Sequence, residues 1–72
     1  MGWDELDPDT RAAAERVLTA KELDALKLWT AGAGYRRIGR ILGIAPTTAK
    51  DRIERAQRKL ADTLETHQEE ER

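Results

Sequence analysis

Apolar residues recur along this chain at steps of three and four, the period of helices with one buried face. The first helix is expected to open at Asp7, with Pro8 at its first position and Asp9 in its first turn, where negative charge suits the dipole. It runs through RAAAERV and stops near Leu18, offering Ala12, Ala13, Ala14 and Val17 as a thin apolar stripe. Thr19 then reads as the N-cap of a second helix, and Glu22 three residues later completes a capping-box pattern. Leu23, Ala25, Leu26 and Trp29 face inward on that helix, and the AGAG stretch at 31–34 ends it. A short third helix is expected from about Tyr35 to Leu42, with Ile38, Ile41 and Leu42 on its apolar side and Arg36, Arg37 and Arg40 on its wet side. Gly43 terminates it and Ile44 follows as an apolar plug. The fourth helix starts at Pro46 or Thr47, is the longest, and runs to about Glu65 with Ala49, Ile53, Ala56, Leu60 and Leu64 on one stripe. Trp3 fits none of these patterns.

These elements predict an all-α fold: a small four-helix domain containing a helix-turn-helix with a long C-terminal recognition helix. Residues 1–6 are expected to be a flexible acidic N-terminus and residues 7–65 the domain, with the helix-turn-helix proper at about 19–60. The acidic tail, 66–72, lacks apolar periodicity and is expected to be disordered. Seventy-two residues make one domain at most, and a chain of that size buries only about 60% of its unfolded surface.

Composition excludes several classes of function. There is no cysteine, so no disulfide or thiolate metal site can form, and there is no serine. The single histidine, His67, lies in the polar tail without metal-ligating companions. Catalysis would need a nucleophile and base built from threonine and carboxylates, so the chain is read as no enzyme, with no cofactor and no small-molecule substrate. No apolar run approaches the ~20 residues of a membrane span, and the N-terminus is acidic where a signal peptide would be basic. A cytoplasmic location is the expectation.

The net charge of −1 argues at first against a polyanionic partner. The distribution reverses that argument. Residues 1–33 carry a net −3, residues 34–60 a net +6 and residues 61–72 a net −4. Screening acts over about 8–10 Å, so the local field of the basic middle decides what it attracts.

The informative stretch runs from Leu18 to Leu60. Its turn is ILGIAPTT: Gly43 supplies a positive backbone angle, Ile44 fills the gap between helices and Pro46 starts the next one. Gly39 stands where the two helices must cross closely. The LT–E start, the Gly32 break, Tyr35, the Ile38-Gly39 pair, Leu42-Gly43-Ile44 and Thr48-Ala49-Lys50 fall in one register. In these residues the chain resembles the helix-turn-helix shared by LuxR-type regulators and region four of bacterial sigma factors. The AKDRIERAQRKL segment is most similar to the extracytoplasmic-function sigma subgroup, although nothing matches the other regions of a sigma factor. Two departures stand out. The family often has serine as the cap of the third and fourth helices, where this chain has Gly34 and Ala45.

The resemblance implies that the second helix of the unit enters the DNA major groove. The face expected to meet base edges then presents Thr47, Lys50, Asp51 and Glu54. Lys50 can donate to guanine O6 and N7, and Asp51 or Glu54 can accept from cytosine N4. Tyr35, Arg36, Arg37, Thr48, Arg52, Arg55 and Arg58 suit phosphate oxygens, which position a protein without reading sequence. A second reading of the same residues stays open, because Lys50/Glu54 and Asp51/Arg55 are also spaced for ion pairs within the helix.

The reading favoured is a DNA-binding transcriptional regulator that places helix 47–60 in the major groove of double-stranded DNA. The alternative is a region four-like module that binds RNA polymerase or another protein, such as a phage-encoded regulator or inhibitor. A third role is that of an assembly adaptor. Dimerisation is open: the Ile53/Leu60/Leu64 stripe can dock on the first helix's alanines or pair with a second copy.

Overall fold

The computed structural model describes residues 2–70, with side chains described as far as Glu65. Among these residues lie four α-helices and a short 3-10 turn at Trp3–Glu5: α1 (Pro8–Val17), α2 (Ala20–Thr30), α3 (Tyr35–Leu42) and α4 (Pro46–Glu70). The local hydrogen bonds show why the helices begin and end there. The Asp7 carboxylate accepts from the Asp9 amide at 3.2 Å, with Pro8 in the first turn of α1. At α2 the capping box is complete. Thr19 Oγ1 accepts from the Glu22 amide at 3.1 Å, and Glu22 Oε1 accepts from the Thr19 amide at 3.0 Å. Leu18 just before this cap and Leu23 just after it belong to one apolar cluster, the staple that fixes how the chain enters a helix.

Both tight turns close on glycine. Gly32 (φ 98°) ends α2 and Gly43 (φ 72°) ends α3, in the left-handed region that costs an L side chain about 1 kcal/mol or more. After Gly43 the Ile44 amide donates back to the Gly39 carbonyl at 2.8 Å. This six-to-one bond satisfies a carbonyl at the end of α3 and aims the chain into α4.

The core has two halves joined by α4. Ala14, Leu18, Leu26 and Ala56 form one cluster, with Trp3, Val17, Leu23 and Leu60 packed around it. Ala25, Ile38, Ala49 and Ile53 form the other, flanked by Leu28, Tyr35, Leu42 and Ile44. Trp29 touches both, and its ring stacks on Tyr35 with centroids 5.0 Å apart and planes 6° from parallel. Ala49, Ile53 and Ala56 are wholly buried, so one stripe of α4 serves as the spine of the domain. Internal docking on α1 accounts for the far end of this stripe, since Ala12 and Ala13 of α1 meet Thr63 and Leu64 of α4 across a shallow groove.

Three details depart from expectation. Ile41 was expected on the apolar side of α3 and is 55% exposed. The buried face of α3 is set by Ile38, Gly39 and Leu42, and Ile41 points about 160° away from Gly39 at a helical rotation of ~100° per residue. Ala12, expected in the α1 stripe, is exposed at the rim of the α1–α4 groove, while Ala13 and Ala14 are buried. The backbone of α4 continues to Glu70, beyond the expected end at Glu65. The tail expected to be disordered (66–72), with His67, lies outside the described side chains.

Trp3 acquires a place that no periodicity indicated. The 3-10 turn brings its ring against the first cluster, with Lys27 Nζ 5.5 Å from the ring centroid. Asp4 in the same turn reaches Arg11 at 3.8 Å.

The missing caps make a direct prediction. Gly34 precedes α3 without a side-chain cap, and Ala45, whose carbonyl accepts from the Ala49 amide at 3.0 Å, has no hydroxyl to offer α4. Ala45→Ser is expected to stabilise the domain by about 1 kcal/mol and Gly34→Ser by a few tenths, read as a rise in urea midpoint. No rise for either would mean that water already satisfies these helix starts.

Candidate nucleic-acid interface

With its back buried against α2 and α3, the front of α4 is free. At ~100° per residue, Thr47, Lys50, Asp51, Glu54 and Arg58 share an arc about 100° wide, and all five are exposed. Thr48, Arg52 and Arg55 lie on the other flank, in an arc about 60° wide. Arg52 is half-buried there, and the other two are exposed. The residues expected to meet bases are therefore brought onto one side of one helix.

They are also paired with one another. Lys50 Nζ lies 3.9 Å from Glu54 Oε1, and Arg55 Nε lies 3.2 Å from Asp51 Oδ2. Both pairs are one helical turn apart and open to solvent, which makes them worth only about 0.3–0.5 kcal/mol each. A bidentate base contact contributes about 1–3 kcal/mol, so the pairs are cheap to exchange for contacts with a partner.

From the side, α3 adds its own cations. Arg36, Arg37 and Arg40 are exposed, and none has an ion-pair partner among the described residues. Tyr35 is half-buried, its ring held by the stack on Trp29, so any polar contact it makes is limited to its exposed edge.

One feature of the site has no signal in the local sequence. Glu22 is 7% exposed and its carboxylate receives a second hydrogen bond, from Lys59 Nζ at 2.9 Å. The lysine lies thirty-seven residues further along the chain. The Lys59 ammonium, together with the Thr19 amide, holds the Glu22 carboxyl below its ordinary value, against the opposing effect of burial. The bond ties the start of α2 to α4 beyond the exposed face.

A short helix, a glycine turn and a second helix with a buried spine and a charged, exposed front define a helix-turn-helix domain. Residues 16–68 match the model of the bacterial regulatory proteins of the luxR family, and the chain belongs to that family. No curated protein and no solved structure matches it. Helix-turn-helix domains of this family bind DNA and regulate transcription, and they are not catalytic. No helix among the described residues is long and apolar enough to cross a membrane.

Proposed function

We propose that this domain recognises a specific double-stranded DNA sequence by laying the N-terminal half of α4 in the major groove. The observation that carries this reading is the exposed front of α4, whose opposite stripe, Ala49/Ile53/Ala56, is wholly buried. A helix with side chains is about 10–12 Å across and the groove about 12 Å wide, so only a helix free on its outer side can enter. Thr47, Lys50, Asp51 and Glu54 face base edges in this arrangement. Tyr35, Arg36, Arg37, Thr48, Arg52, Arg55 and Arg58 take phosphate oxygens.

The primary test is selection of sheared genomic DNA by the purified protein at about 0.15 M salt. One enriched motif is expected; a palindrome would add that the protein binds as a dimer. Two variants then separate the roles. Lys50→Ala is expected to lower affinity for the selected site by about 1–3 kcal/mol and relax preference at one base pair. Arg37→Ala is expected to weaken selected and random duplexes alike and to lower the salt slope by about one. Parental behaviour of both variants would refute the assignment of α4 as the reading helix.

Ile41 favours a second reading. It is 55% exposed on α3, with Arg37 one turn before it on the same side. A large apolar side chain beside cations suits an acidic protein surface, such as one on RNA polymerase. A well-folded protein that enriches no DNA but retains polymerase through Ile41 would establish that role instead.

A further inference from the structure

We infer that a second phosphate contact is built between the start of α2 and the rear flank of α4, with Lys21 as its principal residue. The inference rests on the DNA-binding reading above and extends the interface to α2, the helix that precedes the two helices joined by the Gly43 turn. An open groove of about 380 Å³ separates the first turn of α2 from the flank of α4 that carries Arg52. Lys21, Arg52, Arg55 and Lys59 line it together with Glu22 and Asp51. Both acids are already engaged, Glu22 by Lys59 at 2.9 Å and Asp51 by Arg55 at 3.2 Å. Lys21 and Arg52 are left without an ion-pair partner among the described residues. The groove thus presents two uncompensated cations, one from each helix, to whatever enters it.

The position of Lys21 sharpens the argument. It stands in the first turn of α2, directly before Glu22 of the capping box. A cation there faces the positive end of the helix dipole, which is an unfavourable place for it in the isolated domain. An anion bound in the groove removes that penalty and gains from both cations.

The geometry identifies the anion. A helix in the major groove has a sugar–phosphate backbone along each side. If the Thr47/Lys50/Glu54 side meets the bases, the Arg52 flank is turned toward one of those backbones, and Lys21 stands across the groove from it. A phosphodiester of the bound duplex is the ligand that this arrangement fits.

Binding of the selected duplex and of a random duplex by the intact protein, with and without Lys21→Ala, tests this. Lys21→Ala is expected to weaken both duplexes by the same factor and to reduce the salt slope by about one. That change amounts to a roughly fourfold narrowing of the gap from parent between about 50 and 200 mM salt. Its thermal midpoint should equal or exceed the parent's, because a badly placed cation has gone. A duplex series with single uncharged methylphosphonate linkages then locates the contact. One linkage should weaken the parent while leaving Lys21→Ala unaffected. Parental affinity and slope for Lys21→Ala would overturn the inference, as would a loss confined to the selected duplex. Failure of the parent to bind any duplex would instead overturn the DNA-binding reading itself. Arg16→Ala, on the exposed side of α1 beside the other groove, is the control expected to bind as the parent.

Discussion

Replacing Gly39 with alanine is expected to lower the thermal midpoint by about 10 °C and to weaken DNA binding in proportion. A Cβ built on Gly39 would lie 2.6 Å from the Ile44 carbonyl oxygen, 3.3 Å from the Pro46 nitrogen and 3.4 Å from the Ala45 carbonyl carbon. All three are backbone atoms of the turn, so no side chain can swing aside to make room. Relief requires α3 to move away from the start of α4, which strains the 2.8 Å bond from the Ile44 amide to the Gly39 carbonyl. Overpacking of this kind costs about 1–3 kcal/mol and the hydrogen bond about 1 kcal/mol more. Alanine's better helix propensity returns about 1 kcal/mol, leaving a net loss near 2 kcal/mol. For a domain this small, each kcal/mol shifts the midpoint by about 4–8 °C. Calorimetry of Gly39→Ala, with Gly39→Val as a larger probe, checks the claim. An unchanged midpoint would mean that the two helices are not held in contact at this glycine.

The second large effect concerns Glu22. Glu22→Ala removes the bond to the Thr19 amide, worth about 1 kcal/mol as part of a cap, and the charged bond from Lys59. Lys59 is 47% exposed on its side chain and returns to water when released, so the loss should stay near 2 kcal/mol. Glu22→Gln keeps an acceptor for Thr19 but not the charge, and is expected to lose less.

The dependence on pH follows from the same bond. The Glu22 carboxyl is held below its ordinary value of 4.5, chiefly by the Lys59 hydrogen bond. A carboxylate with a depressed folded-state value contributes stability above its unfolded value and loses it as pH falls through the folded one. The gap between parent and Glu22→Gln should therefore be constant from about pH 7 down to about pH 5 and close in stronger acid. Urea midpoints of both proteins across that range decide it. A gap that persists undiminished in strong acid would show that the charge plays no part.

The elements readable in the sequence were those fixed by neighbours. Asp7, the Thr19/Glu22 box and Gly43 act through hydrogen bonds or backbone angles within a few residues, so their residue types and spacing reveal them. Ile41 and Ala12 failed for a shared reason: a periodic stripe shows which residues lie together, but only packed neighbours decide which edge is covered. Trp3 was silent because a single aromatic outside any repeat has no period. In the candidate interface, spacing alone leaves Lys50/Glu54 and Asp51/Arg55 open to ion pairing, and in the structure they are paired. The Glu22–Lys59 bond joins two helices across the chain and could not be read from either helix separately.

One consequence of the long fourth helix concerns approach to a partner. Its first fourteen residues carry Lys50, Arg52, Arg55, Arg58 and Lys59 against Asp51 and Glu54, while Asp62 and Glu65 follow on the same continuous rod. Twenty-five residues at 1.5 Å each make this rod nearly 40 Å long, with opposite signs toward its two ends. In the field of a polyanion such a body experiences a torque as well as a pull, so it turns its basic end forward before contact. On the DNA-binding reading proposed above, repulsion at the distal acids favours an end-on, tilted approach to a duplex, which discourages lengthwise adhesion along arbitrary DNA.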